Sequence, residues 1–314
     1  MFFAFFLIFL LKTPVFGQCN CVNGAAIGGM TPVSGTTNVG VLQKKNMRSL
    51  LFYKFGEGDK FFKGDVVQDT GDIKLLRYQY MGLVLGYGIT DKFTVEAETG
   101  YFLDKFQDWG FTKYSASGLS HLLLSAKYNF LFSPAREMEF SAGLGAKLPL
   151  QFETDSIPQN ILPSTGDYSG ILTLFFHKGF SDSKSRFIII NTTSYNSTNT
   201  REYQYGMFNY TSFIFAKTFF EKWTGILELR NEFRARDKWY KDPVVNSGGW
   251  SVNVAPQINF SYSYFNLSFL FDYPLYQYLN GSQLGMNYSA SLNLNWEFSF
   301  EKPVPEMIEE ETND

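Results

Sequence analysis

The chain has 314 residues, 45% of them hydrophobic and 18% aromatic, with a net charge of −3; that is enough for one or two soluble domains or one medium barrel. The charge is too small to imply a nucleic-acid partner, and two cysteines, Cys19 and Cys21, are too few for a disulfide scaffold. A mean hydropathy of −0.14, with no long apolar run after the N-terminus, argues against membrane-spanning helices, which need about twenty apolar residues each. What stands out is the 19 Tyr and 34 Phe, a load that suits a lipid-facing band with interfacial girdles.

Residues 1–17 read as a signal peptide: an apolar run over 2–11, then Val15-Phe16-Gly17, with small residues at the first and third positions before the cut. The mature chain is therefore expected to be exported. Residues 18–46 are rich in Gly, Thr, Asn and Val without a sustained period, which is loop chemistry. They form a periplasmic leader or a small plug folded into the lumen. Within them, Cys19-Asn20-Cys21 offers two thiolates, too few for a closed metal site, and exported thiols tend to oxidise. A local disulfide or a partner contact is favoured, and no metal or cofactor is expected.

From 47 to 300 the chain alternates strand-like segments with connections. The segments are 47–55, 75–89, 93–103, 121–132, 138–150, 168–180, 186–195, 203–217, 223–236, 249–260, 265–276 and 284–300. The last shows the pattern most plainly, apolar at even positions from Leu284 to Phe300 and small or polar at the odd ones. Strict period two means a strand, and this one exceeds the roughly nine to eleven tilted residues that cross a bilayer. Tight turns near 90–92, 133–136, 181–184, 220–222 and 262–264 alternate with longer polar links at 56–74, 104–120, 151–167, 196–202, 237–248 and 277–283. Such alternation predicts an all-β fold: a transmembrane antiparallel up-and-down barrel of about twelve strands, with fourteen as the other count, with short periplasmic turns and long external loops. A soluble sandwich has no reason to sort its loops this way. The barrel is expected in a bacterial outer membrane, and 301–314, with two prolines and a run of Glu, as an acidic periplasmic tail. The terminal Trp296, Phe298 and Phe300 resemble the C-terminal signal recognised by the barrel-assembly machinery.

Parity along each strand separates a lipid face from a lumen face. It sends Glu96, Glu98, Lys127, Glu139, Lys147, Asp272 and Glu297 inward, with a column of Glu228, Arg230, Glu232, Arg234 and Arg236. The reason is energetic: Lys or Arg on the lipid face near the midplane costs about 2–4 kcal/mol. The column reads either as a ladder of paired charges that rigidifies the barrel or as a selectivity lining. In 168–180 and 203–217 apolar residues crowd both faces, through tight packing of the wall or contact with a plug, a second protomer or an apolar substrate. Phe102, Phe106, Trp109 and Phe111 in one external loop, and Trp239 and Tyr240 in another, are candidates for catching apolar solutes.

An outer-membrane enzyme is the rival class. It would need a nucleophile, a base and an orienting group within hydrogen-bond reach, and the sequence holds two histidines, His121 and His177. His121 opens a strand after a loop holding Asp104 and Asp108, but neither histidine precedes the Ser-Asn pair of barrel phospholipases, so catalysis is not expected.

Gly86-Tyr87-Gly88-Ile89-Thr90-Asp91-Lys92-Phe93, Ser125-Ala126-Lys127-Tyr128 and Gly143-Leu144-Gly145-Ala146-Lys147-Leu148-Pro149 together resemble the phenol-degradation meta-pathway (MetA-pathway) transporters of Gram-negative outer membranes, related in architecture to long-chain fatty-acid barrels. That family repeats a strand, a Tyr-Gly-Val/Ile-Thr-Asp-Arg/Lys turn and a returning strand. It often follows its proline with Thr-Gly, where this chain has Leu150-Gln151. The aromatic composition and Gln18 look like proteins of the Bacteroidetes type. The resemblance implies uptake of small, poorly soluble compounds, with the bilayer and apolar solutes as partners. The alternative is a non-conducting barrel that serves as a scaffold for a periplasmic or surface protein.

Overall fold

A computed structural model describes residues 40–68, 75–110, 112–150 and 157–300. The signal peptide, both cysteines, most of the leader, Phe111 and the tail lie outside the described residues. In chain order the strands are β1 (Asn46–Gly58), β2 (Phe61–Gly64), β3 (Val66–Gln68), β4 (Leu75–Thr90), β5 (Phe93–Asp108), β6 (Lys113–Ser133), β7 (Met138–Pro149), β8 (Ser169–Phe180) and β9 (Ser185–Asn196). They continue with β10 (Tyr203–Gln204), β11 (Phe208–Phe219), β12 (Trp223–Arg234), β13 (Lys238–Trp239), β14 (Asp242–Pro243), β15 (Gly249–Tyr262), β16 (Phe265–Leu284) and β17 (Tyr288–Ser299).

Fourteen strands share the main sheet, but twelve of them close the ring. Each of the twelve is antiparallel to its neighbours, and the circle shuts where β1 pairs with β17 from Asn46↔Ser299 to Glu57↔Tyr288. The other two, β2 and β3, hang from the external end of β16, while β10, β13 and β14 form a separate three-stranded sheet in the external connections. Closure pairs the backbone groups along the ring and leaves no sheet edge to lipid, which a bilayer-spanning sheet requires.

Alternation does the sorting. In β17 the polar Ser289, Ser291, Asn293 and Asn295 are buried, while Leu292 and Trp296 are exposed on the other face. The same parity around the ring makes an outward belt that includes Phe213, Phe215, Leu227, Ile258 and Phe269. Exposed Phe130, Phe132, Phe219, Trp223, Tyr262, Trp296 and Phe298 edge it on the side of the short turns, and Tyr101, Tyr195, Trp250 and Tyr278 on the other. An apolar belt between aromatic girdles is the surface of an outer-membrane barrel. The turns are tight because non-glycine residues accept left-handed backbone there: Glu137 and Lys184 (both φ 50°), Phe220 (φ 47°), Glu221 (φ 59°) and Ser263 (φ 52°).

Several expected boundaries move. The link 104–120 is mostly strand, since β5 and β6 stay paired out to Asp108↔Lys113. The link 277–283 belongs to β16, so the final strand starts at Tyr288 rather than at 284. Leu284 is wholly buried in an apolar cluster instead of facing lipid. The segment 203–217 is two elements, the short β10 and then β11. β12 ends at Arg234, which leaves Arg236 exposed in the external connection and outside the lumen.

Candidate functional site

The candidate site is the lumen. At the periplasmic end, Glu96 on β5 accepts from Arg48 Nη2 of β1 at 2.9 Å and pairs with Lys127 Nζ of β6 at 2.7 Å. Glu139 on β7 accepts from Ser141 Oγ at 2.7 Å and from the Val41 amide at 3.1 Å. The last residues of the leader thus cross this mouth. Leu42 is buried, and its amide donates to Thr94 Oγ1 at 2.8 Å, while Lys44 N reaches Asp91 Oδ1 at 3.0 Å. Glu297 lies half-buried at the same rim.

At mid-height three members of the expected column, Glu228, Arg230 and Glu232, form a cluster of paired charges. Arg230 donates to Glu232 Oε1 at 2.6 Å, to Glu228 Oε1 at 3.3 Å and to Asp272 of β16, and Ser212 Oγ holds Glu228 at 2.6 Å. A guanidinium suits this role because it presents five donors in a fixed plane. Lys54 of β1 is buried within the field of the same acids. Nearby, Ser120 Oγ and His121 Nδ1 are 2.6 Å apart, and His121 Nε2 lies 3.7 Å from Glu98 Oε1. The acids proposed as its rim partners are committed elsewhere: Asp104 to Arg77 and Ser115, Asp108 to Lys113 and the Gly110 amide. His177 is half-buried on β8, beside Glu139.

At the external end, residues 157–168 of the connection between β7 and β8 fold inward as a lid. Its residues Ile161 and Leu162 are buried inside the barrel. Lys105 Nζ of β5 donates to the Leu162 carbonyl at 2.7 Å, and Asn160 Nδ2 to Gln107 Oε1 at 2.6 Å. Gln159 Nε2 reaches Tyr205 Oη at 2.9 Å, and Arg201 Nη1 the Ile157 carbonyl at 3.1 Å. Lys147, which the sequence reading sent inward, anchors this lid: its Nζ donates to Thr165 Oγ1 at 2.9 Å and to Asp167 Oδ1 at 3.1 Å, both ions almost wholly buried. Arg234 does the same for the next connection, donating to Asp237 at 2.6 Å; Asp237 also accepts from Tyr203 Oη at 2.5 Å and the Gly206 amide at 2.7 Å. Burial, with the Asp237 carboxylate close by, pushes the Tyr203 phenol up, and burial does so for Tyr205. Both phenols therefore stay neutral donors near pH 7.

Between these layers the wall is apolar in two places. On β1, β4 and β5, Leu50, Phe52, Leu76, Tyr78, Tyr80 and Phe102 face inward, joined by Phe61 and Leu284 from the external side. Glycines let these rings lie flat: a Cβ at Gly82 would sit 2.2 Å from the Phe52 ring, and one at Gly100 1.8 Å from Tyr80 Oη. Across the barrel, Phe175, Ile188, Ile190, Ile214, Ala216 and Ile226 make a second patch on β8, β9, β11 and β12.

The aromatics expected in external loops divide three ways. Phe102 is fully buried in the lumen, its ring 4.8 Å from that of Tyr80 and under the Lys105 ammonium. Phe106 sits on the strand extension against the Arg77 guanidinium, and Trp109 is half-buried in the hairpin turn. Trp239 and Tyr240 are exposed side by side at 5.6 Å, as a capture surface would need. Sequence reasoning missed the lid and most of the first apolar patch, although the crowding of both faces in 168–180 and 203–217 did signal the second.

No family model matches the sequence, and no curated protein matches it. Among solved structures, the fold is similar to the COG4313 outer membrane channel from Pseudomonas putida F1, with a TM-score of 0.69 and 13% identity over 83% of this chain and 98% of that one. Looser likenesses are the NanC porin (TM-score 0.47, 8% identity, 79% and 98% covered) and the CymD monoaromatic hydrocarbon channel (TM-score 0.44, 10% identity, 92% and 99% covered). By its closed ring, its apolar belt and this likeness of fold, the chain is a twelve-stranded β-barrel of a bacterial outer membrane.

Proposed function

We propose that the barrel is a channel for passive uptake of small hydrophobic or amphipathic compounds, in line with the transporter family its sequence resembles. The observation that carries the reading is the pair of apolar patches facing the lumen. A barrel needs apolar residues toward lipid, whereas its lumen is ordinarily polar; two inward apolar walls with charge layers above and below suit a solute that is mostly hydrocarbon. Solute would be gathered at Trp239 and Tyr240, pass the lid and follow the Phe52–Tyr80–Phe102 wall. The strap at Gly40–Lys45 would be the last barrier, continuous with a leader that acts as a plug. The charged layers exclude ions and fix the wall. Trp296, Phe298 and Phe300 would serve insertion by the barrel-assembly machinery.

Phe52, Ile188 and Ile214 on the inner wall are at most 1% exposed, and the lid is tied down at Lys105 and Lys147, so conduction would require the lid to move. The same observation favours the second reading, a closed barrel that serves as a scaffold. Release of the lid by Lys147→Ala, followed by toluene and glucose entry into proteoliposomes, separates them. A channel of the proposed kind admits toluene faster than protein-free vesicles do and excludes glucose. Equal rates with and without protein, in wild type and variant alike, would leave the scaffold.

A further inference from the structure

We propose that the outer wall of the barrel holds one phospholipid of the periplasmic leaflet in a built site. A groove of about 700 Å³ is cut into the lipid-facing side of β4, β5, β6 and β7. Its origin lies in the register. Leu85, Ala97, Leu124 and Ala146 are successive cross-strand partners, and Tyr87, Val95, Ala126 and Leu144 form the next outward row. Large and small side chains thus alternate, so that Ala97, Ala126 and Ala146 make a floor between the walls of Tyr87, Leu124 and Leu144. The walls are exposed, Leu144 to 70%. Glu96, which also borders the groove, has its carboxylate committed to Arg48 and Lys127.

The occupant follows from position and charge. The groove lies inside the apolar belt, so hydrocarbon fills it, and since a lipid chain is already out of water, what holds one chain there is its close packing against the groove's walls. Its lower end, at Tyr87 and Val95, is two to three residues above the β4–β5 turn, or roughly 10 Å at the strand rise. At that level Lys44 and Lys92 are exposed, and the Asp91 carboxylate between them is engaged by the Lys44 amide. Two ammonium groups at the interface suit the phosphate of a lipid whose acyl chain runs up the groove. A second copy of the chain fits worse, because a two-fold contact would set hollow against hollow.

The test is native mass spectrometry of the full chain released from nanodiscs of equal parts phosphatidylglycerol and phosphatidylethanolamine. Wild type should keep one phospholipid at collision energies that strip the others. Ala126→Phe, which fills the groove, should keep none, and Lys44→Ala with Lys92→Ala should lower retention several-fold. Heat-modifiable gel mobility reports folding, and Ala97→Leu replaces Ala126→Phe if that variant fails it. Undiminished retention after filling, no retained lipid in wild type, or a dimer that the filled groove abolishes would each overturn the proposal.

Discussion

The two ends of this barrel use the same chemistry for opposite purposes. Toward the periplasm and at mid-height, ion pairs tie the wall to itself: Arg48 and Lys127 flank Glu96 from neighbouring strands, and Arg230 of β12 reaches Asp272 of β16 as well as Glu228 and Glu232 of its own strand. At the external end strand-to-strand pairs remain, Arg77 with Asp104 and Lys113 with Asp108, but the two almost wholly buried ones join strand to connection, Lys147 to Asp167 and Arg234 to Asp237. A pair inside the wall can be lost only by weakening the wall, whereas a pair between wall and lid can be lost with the ring of backbone hydrogen bonds untouched. Where the partner sits in the chain, more than the strength of the bond, decides whether a buried ion pair is a rivet or a latch.

The largest expected effect is on the rivet. Arg230→Ala leaves two buried carboxylates, Glu228 and Asp272, and the half-buried Glu232 without their cation, a change of the kind that costs about 3–5 kcal/mol. It should appear as a lower urea midpoint for unfolding in detergent micelles, and Arg230→Lys should restore only part because an ammonium lacks the planar fork. If solute entry into proteoliposomes changed instead while the midpoint stayed, the ladder would be a selectivity lining. For the latch, Lys147→Ala and Asp167→Ala should each loosen the lid by an amount of the same order, about 3 kcal/mol. That is roughly a hundredfold in the lid equilibrium. Single-channel conductance should rise in both, with the urea midpoint nearly unchanged; a midpoint that falls as far as in Arg230→Ala would erase the distinction between the ends.

A smaller effect tests the apolar wall between them. Gly100→Ala drives a methyl into Tyr80, and overpacking of this kind costs about 1–3 kcal/mol. Tyr80→Phe should be neutral or stabilising, since Tyr80 Oη is buried without a hydrogen-bond partner and removing such a group removes its desolvation cost. A loss of stability in Tyr80→Phe would mean that the hydroxyl is engaged, with Ser120 as the candidate.

The same contrast explains what was legible in the sequence. Where a strand crosses lipid, its two faces meet different solvents, so parity separates Glu96, Lys127 and the 228–234 column from the apolar residues between them. Beyond the bilayer both faces are wet and the constraint lapses. Asp104, Lys105, Gln107 and Asp108 therefore read as a loop although β5 runs through them, and parity carried past the end of β12 misplaced Arg236. In 284–300 the even-odd rhythm continued by coincidence across the connection at 285–287, which hid the start of β17. The lid was invisible for a different reason: Lys147 and Asp167 are 20 residues apart, and nothing local says that the chain between them turns into the barrel. The apolar inner wall was half visible, because Leu50 and Phe52 alternate with Leu51 and Tyr53 and such a strand has no preferred face.

The smallest effect belongs to the periplasmic turns, and it separates local stitching from both rivet and latch. Glu137, in the β6–β7 turn, accepts from the hydroxyl of Ser181 and from its amide at 3.2 Å, and so ties one turn to the next. The Ser181 hydrogen bond, helped by Lys178, holds its carboxyl below the usual range. With the folded value below the unfolded one, the contribution is fully present above the unfolded carboxylate value of about 4.3 and disappears as pH falls through the folded value. The group is at the surface, so the effect is small and screened by salt. Glu137→Gln should flatten that part of the pH dependence of the urea midpoint while leaving conductance alone. A change in conductance would show that the periplasmic turns reach the strap at Gly40–Lys45, which Glu139, two residues along, touches directly.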